Sequence, residues 1–214
     1  MSRISNTKTT EEIILQTAMD VFIEKGRHGA RMQDIADRAG INKAMLHYYF
    51  RSKDKLYAQI FELVFVKYFG ELLDVFKEEN RFETTLKSFI NRYIDILDEN
   101  PRLPVFVASE MLEGGSIVEE IISSLIKSEK FQVPHKMIHA IDKAVKSGEI
   151  VKVDHVNLMM NVIGACIYFF IAEPVFRAIF SIDSTYDRKA FIEVRKKAIF
   201  ENIYYGISAR GENK

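Results

Sequence analysis

Cysteine is nearly missing from this 214-residue sequence, tryptophan is missing altogether, and proline occurs four times. The lone Cys166 excludes an intrachain disulfide, which fits a reducing, cytoplasmic compartment. It sits in an apolar run and is expected to pack as a small hydrophobe. With prolines only at 101, 104, 134 and 174, little interrupts helix formation. No strand-like alternation of useful length is present, and no internal repeat. Net charge is also missing: 30 Lys and Arg balance 30 Asp and Glu, which argues against a chain that coats nucleic acid by bulk charge. The first ten residues are polar and lack the apolar core of a secretory signal. The longest uncharged run, 155–172, falls short of the ~20 apolar residues a membrane span wants, and it contains Asn157 and Asn161. It is expected in a core or a subunit interface, not in a membrane. No serine-centred elbow, phosphate loop or cysteine pair appears, so neither an enzyme nor a cofactor is expected. His135 and His139 share a helix face at a spacing that can hold a metal, but no third ligand accompanies them, and no metal is expected.

What the sequence does have is helical periodicity. Hydrophobic residues make up 48% and charged residues 28%, enough for a substantial core. Thr9 and Glu12 form a capping box ahead of Ile14, Ala18, Val21 and Phe22, which fall on one helix face, and Gly26 is expected to end that helix. A short helix over 32–39, Gly40 in a left-handed turn, and a second short helix over 43–49 capped by Asn42 follow. Ser52 then opens a long helix expected to reach about residue 79. Further helices are expected over about 82–99, 103–112, 116–146 with a kink near Pro134, from Asp154 as N-cap to about 170 or beyond, and 185–207. The expectation is an all-α fold of about nine helices, with residues 1–52 as one domain and 53–214 as another.

The neutral sum conceals an asymmetry. Residues 1–55 carry ten basic and seven acidic groups, a balance of +3, and the remainder carries −3. The segment that bears chemistry lies in the basic part, at 32–53, MQDIADRAGINKAMLHYYFRSK. Two short helices joined by a tight turn at Gly40 form a helix-turn-helix. Ile35 and Ala36 pack the helices together, and Ile41 plugs the corner. The second helix displays Lys43, Ala44, Met45, His47, Tyr48 and Tyr49. Lys and His donate to base edges and phosphates, Tyr donates to phosphates, and Met and Ala can touch a thymine methyl. Tyr48 and Tyr49 cannot both be core, because helix neighbours diverge by about 100°. Phe50 is expected inside.

The ordered set Phe22, Gly26, Ile35-Ala36, Ala39-Gly40-Ile41, Leu46, Tyr48-Tyr49-Phe50, Ser52-Lys53 and Leu56 resembles the DNA-binding domain of TetR-family transcriptional regulators. The resemblance implies a homodimer on a two-fold, double-stranded DNA operator, released by a small-molecule effector held in a C-terminal pocket. It implies base contacts from Gln33, Lys43, Ala44 and His47, with Met45 beside them, and phosphate contacts from Tyr48, Tyr49 and Lys53. This chain departs from the family where Ala30-Arg31-Met32 replaces a small hydroxyl residue, so Arg31 is expected to supply that phosphate contact by charge. Ala44-Met45 and His47 replace the commoner Gly-Thr and Tyr, which bears on the operator sequence and not on the fold.

The C-terminal part has no motif of its own. Phe65, Phe69, Tyr93, Phe106, Phe131 and Phe169 are mostly expected in the core. A few of them, with His135, are candidates to line a cavity for an apolar or amphipathic effector. The apolar helix and the last helix are expected to form a four-helix bundle between two subunits through Gly164, Ala165, Tyr168, Phe191, Val194, Ala198, Ile199 and Ile203. The expectation is therefore a ligand-responsive repressor. The alternatives are a helical small-molecule-binding or adaptor protein without DNA binding, or an activator using the same DNA chemistry.

Overall fold

In a computed structural model of the chain, residues 9–76, 81–101, 103–112, 114–128, 132–180 and 187–209 are described. Among them ten α-helices form, and the only strand-type pairing is an isolated bridge between Ile150 and Ser208.

Local chemistry sets the helix ends. At α1 (Thr10–Gly29), Glu12 N donates to Thr9 Oγ1 at 3.2 Å and Thr9 N donates to Glu12 Oε2 at 2.7 Å, the reciprocal capping box. Gly26 interrupts this helix, as expected. At φ 69° and ψ 173° its backbone is extended rather than helical, a conformation open to glycine, and one further turn follows to Gly29 across the kink. α2 (Met32–Ala39) ends at Gly40, φ 68°, and α3 (Lys43–Tyr49) is capped by Asn42, whose side chain accepts from Met45 N at 2.7 Å. Ser52 Oγ accepts from Lys55 N at 3.2 Å at the head of α4 (Lys53–Leu73), which stops earlier than its apolar periodicity suggests. α5 (Phe82–Glu99) and α6 (Leu103–Leu112) follow. The long helix expected over 116–146 is two: α7 (Ser116–Lys127) and α8 (Val133–Lys146). Pro134 sits in the first turn of α8, where its missing N–H costs no intrahelical bond and its fixed φ suits a helix start. α9 (His155–Ile179) is capped by Asp154, and α10 (Arg188–Ile207) by Asp187.

The chain packs as two units. The first comprises Met1–Val66 and Val105–Lys127. Its core is aromatic: Tyr57 meets Phe22 edge-on at 4.9 Å, and Phe61 lies 5.1 Å from Phe65 and 5.2 Å from Phe106. The second comprises Lys67–Pro104 and Ser128–Lys214, in which α5 packs against α8, α9 and α10. Here Glu149 caps α5, accepting from Phe82 N at 3.1 Å and Glu83 N at 2.9 Å, a favourable place for a carboxylate at the positive end of a helix. α9 is long and apolar enough to cross a membrane by length and composition alone. It buries Leu158, Val162, Cys166, Phe169, Phe170 and Ala172 and leaves its other side uncovered.

Candidate nucleic-acid interface

The α2–turn–α3 segment is built so that one face anchors and the other is left free. Ile35 and Ala36 are fully buried, Ile41 N donates to Ala36 O at 3.0 Å across the turn, and Leu46 and Phe50 hold α3 down at 0% and 4% exposure. What remains on α3 points out: Lys43, Ala44, Met45, His47, Tyr48 and Tyr49 are all exposed, Tyr48 by 83%. The two tyrosine rings meet edge-on at 5.6 Å, so each limits the other's rotamers.

α2 divides into flanks of different character. The flank toward α1 is stitched by charge, Lys25 to Asp34 at 2.6 Å and Arg38 to Glu24 at 2.6 Å. The hydrogen bond from Lys25 holds the Asp34 carboxyl below the ordinary aspartate range. On the other flank Gln33, exposed, donates its amide to Asp37 Oδ1 at 2.7 Å. Arg31 stands at the N-cap of α2, exposed and without a side-chain capping bond. The first N–H groups of α2 are therefore available to an anion. Lys53 is half-buried, and its ammonium donates to Ala30 O at 3.3 Å, which sets a cation beside the start of α2 with donors to spare. Of the nine residues expected to meet DNA, only Lys53 is not exposed.

Behind this surface lies an ionic junction that sequence reasoning missed. Arg27, just past the bend at Gly26, is 3.2 Å from Asp54 Oδ1 and 3.9 Å from Glu110 Oε1, with its guanidinium 5.6 Å from the Tyr57 ring centre. Glu110 is 1% exposed, and its Oε2 has no hydrogen-bond partner among the described residues. Nothing in the sequence distinguishes Glu110 from a solvated acid except its place four residues after Phe106, on that ring's helix face. Asp37 was overlooked too, although its spacing from Gln33 is the i,i+4 of helix neighbours.

The residues expected to line a pocket are divided between the two units. Phe65 and Phe106 are buried in the first. In the second, Phe169 is buried, Phe69 and Tyr93 are half-buried, and His135 is exposed. Phe131 lies outside the described residues. Desolvation drives the Tyr93 phenol up, and it pushes the Cys166 thiol up to about 12. A surface hollow of about 380 Å³ on α9 is lined by Phe170, Glu173, Pro174 and Arg177, none of which sequence reasoning singled out.

The residues expected at a subunit interface also differ in placement. Tyr168 and Val194 are 57% and 64% exposed, and Gly164 is exposed, with nothing among the described residues beyond its own helix backbone within 4 Å of where a Cβ would stand. Ala165, Phe191, Ala198 and Ile203 are half-buried, and Ile199 is buried in its own unit at 3%. Val156, Met160, Tyr168, Ile171, Val175 and Ile179 make an exposed apolar stripe along α9 at helical spacing.

Residues 14–60 match the family model described as bacterial regulatory proteins, tetR family. The HTH-type transcriptional regulator RutR of Escherichia coli O157:H7 is 27% identical over 152 residues, 71% of this chain and 69% of RutR. The HTH-type transcriptional activator FasR of Mycolicibacterium smegmatis is 43% identical over 49 residues, 23% of this chain and 22% of FasR. The transcriptional regulator FadR from Bacillus subtilis, solved in complex with stearoyl-CoA, has the same fold: TM-score 0.68 and 17% identity over 91% of this chain and 98% of that one.

Proposed function

We infer that this chain, a TetR-family transcriptional regulator by its DNA-binding domain and its fold, works as a ligand-responsive repressor. In this reading, residues 1–52 read the operator and 53–214 bind effector and dimerise. The observation that carries it is the division of α3, where Leu46 and Phe50 are sunk in the core and every chemically useful side chain between Lys43 and Tyr49 is exposed. Gln33, Lys43, Ala44, Met45 and His47 meet base edges, and Arg31, Tyr48, Tyr49 and Lys53 meet phosphates. Such a head needs a partner to read a two-fold site, with centres about 34 Å apart along the duplex. The apolar stripe of α9, with Val194 on α10, is the surface proposed for the second copy. It is too apolar and too continuous for an ordinary monomer surface, and Gly164 lets two helices approach closely.

The effector is proposed to be apolar or amphipathic, held among aromatic side chains of the C-terminal part. The complex of FadR with stearoyl-CoA supports a long acyl thioester as the first probe. Release follows if the effector binds more tightly to a conformer whose two heads no longer match the operator spacing, and its leverage equals that difference in affinity. A protein of this kind acts in the cytoplasm, without catalysis and without a membrane. The test is a mobility shift on the promoter of its own gene and on a genomic fragment library at two salt concentrations. A salt-sensitive, dimer-stoichiometric shift is expected. No shift on either would overturn the reading in favour of a helical binding or adaptor protein.

A further inference from the structure

Asp37 is an oddity on a surface meant for a polyanion. The other charged groups of α2 near α1 are neutralised there, Asp34 by Lys25 and Arg38 by Glu24. Asp37 makes no ion pair among the described residues, and its carboxylate instead accepts the Gln33 amide at 2.7 Å. An ionised carboxylate has no proton to give, so this contact determines which end of the amide faces it: Nε2, through one of its two N–H groups. The Gln33 carbonyl oxygen and the second N–H, one acceptor and one donor of the same planar amide, are left for another partner.

That pair has a specific complement. In the major groove adenine presents a donor, N6–H, beside an acceptor, N7, while guanine presents two acceptors, O6 and N7. Adenine therefore takes both remaining valences of the held amide. Guanine would need both N–H groups, and one is already used. The nearby carboxylate adds repulsion toward the two guanine acceptors. We propose that Asp37 is a positioning residue that sets Gln33 to select adenine over guanine at one position of each operator half-site. This rests on the reading of α2 and α3 as the DNA-contacting face.

The experiment is base preference, measured by selection from a randomised duplex library and then by fluorescence anisotropy on the selected operator and its single-base variants. Wild-type protein should prefer adenine to guanine at one half-site position by about tenfold, as a bidentate contact gives. Gln33→Ala should erase that preference. Asp37→Ala should lower it several-fold while leaving binding to the adenine operator nearly unchanged. Asp37→Asn keeps an acceptor for the amide and should keep the preference. Circular dichroism on each variant confirms that α2 is intact. An adenine-to-guanine ratio unaltered in Asp37→Ala would overturn the proposal, as would a loss in Asp37→Asn as complete as in Asp37→Ala, which would place the effect in charge alone. If wild-type protein showed no salt-dependent binding to any duplex, the DNA-binding reading beneath it would fall as well, a different result from an unchanged ratio.

Discussion

Arg27 and Glu110 should respond to mutation in opposite ways. At 3.9 Å, their charges attract by about 4 kcal/mol at an effective dielectric of 20. Against this stands the burial of Glu110 at 1% exposure, which costs several kcal/mol for a carboxylate, with one oxygen unpartnered among the described residues. The two terms nearly cancel while both partners are present. Glu110→Met, of similar length and beside the Phe106 ring, removes both terms together, and stability should stay within about 1 kcal/mol of wild type or rise. Arg27→Met removes the attraction, along with the exposed Asp54 pair and the Tyr57 contact, and leaves a bare buried charge, a loss of about 3–5 kcal/mol. For a chain of this size that corresponds to a Tm lower by roughly 6–20 °C. The Arg27→Met/Glu110→Met pair should recover most of the loss. The assay is thermal and urea unfolding at one fixed protein concentration, because the proposed dimer would make stability concentration-dependent. An Arg27→Met protein as stable as Glu110→Met would refute the reasoning, and so would a double variant no better than Arg27→Met alone.

Other outcomes follow from the same geometry. Lys53→Ala combined with Tyr49→Phe should weaken operator binding and reduce the slope of log affinity against log salt by about 1, measured by anisotropy titration. Gly40→Ala forces a side chain into a backbone with φ 68° and should cost about 1–2 kcal/mol in urea unfolding without altering the operator consensus. Tyr168→Asp, on the exposed stripe of α9, should sediment as a monomer with helicity preserved. The Asp34 carboxyl is held down chiefly by the Lys25 hydrogen bond, so its contribution is present at neutral pH and is lost as pH falls through the depressed folded-state value. Lys25→Met should therefore flatten the acid limb of the stability profile below the ordinary aspartate range.

Helix positions were legible in the sequence wherever a local signal marked them: the Thr9–Glu12 box, Asn42, Gly40 and Asp154 all stand where capping chemistry puts them. Gly26 likewise interrupts α1, although a further turn to Gly29 follows it. The misjudged end of α4 has a local cause as well. Apolar periodicity continues past Leu73, but periodicity says which face would be buried, not whether the chain stays helical. The exposed face of α3 was legible because Leu46 and Phe50 must both point inward, leaving the tyrosines outside. The partners of Gln33 and Arg27 were not, because which hydrogen bonds form depends on side-chain direction in space. Glu110 in particular is one acid among 30 until packing closes over it.

Cys166 gives the body of the protein a clock. It is the sole thiol in the chain, 1% exposed, with its ionisation pushed up to about 12. A thiol reagent reacts with thiolate it can reach, and the native molecule offers almost none at neutral pH. Labelling must then wait for the packing of α9 against its neighbours to open, so the rate of labelling counts openings. In a chain without tryptophan, this provides a spectroscopically silent region with a chemical readout. An effector that tightens the helical body would slow the reaction and one that loosens it would speed it, with no dye, tag or foreign residue introduced.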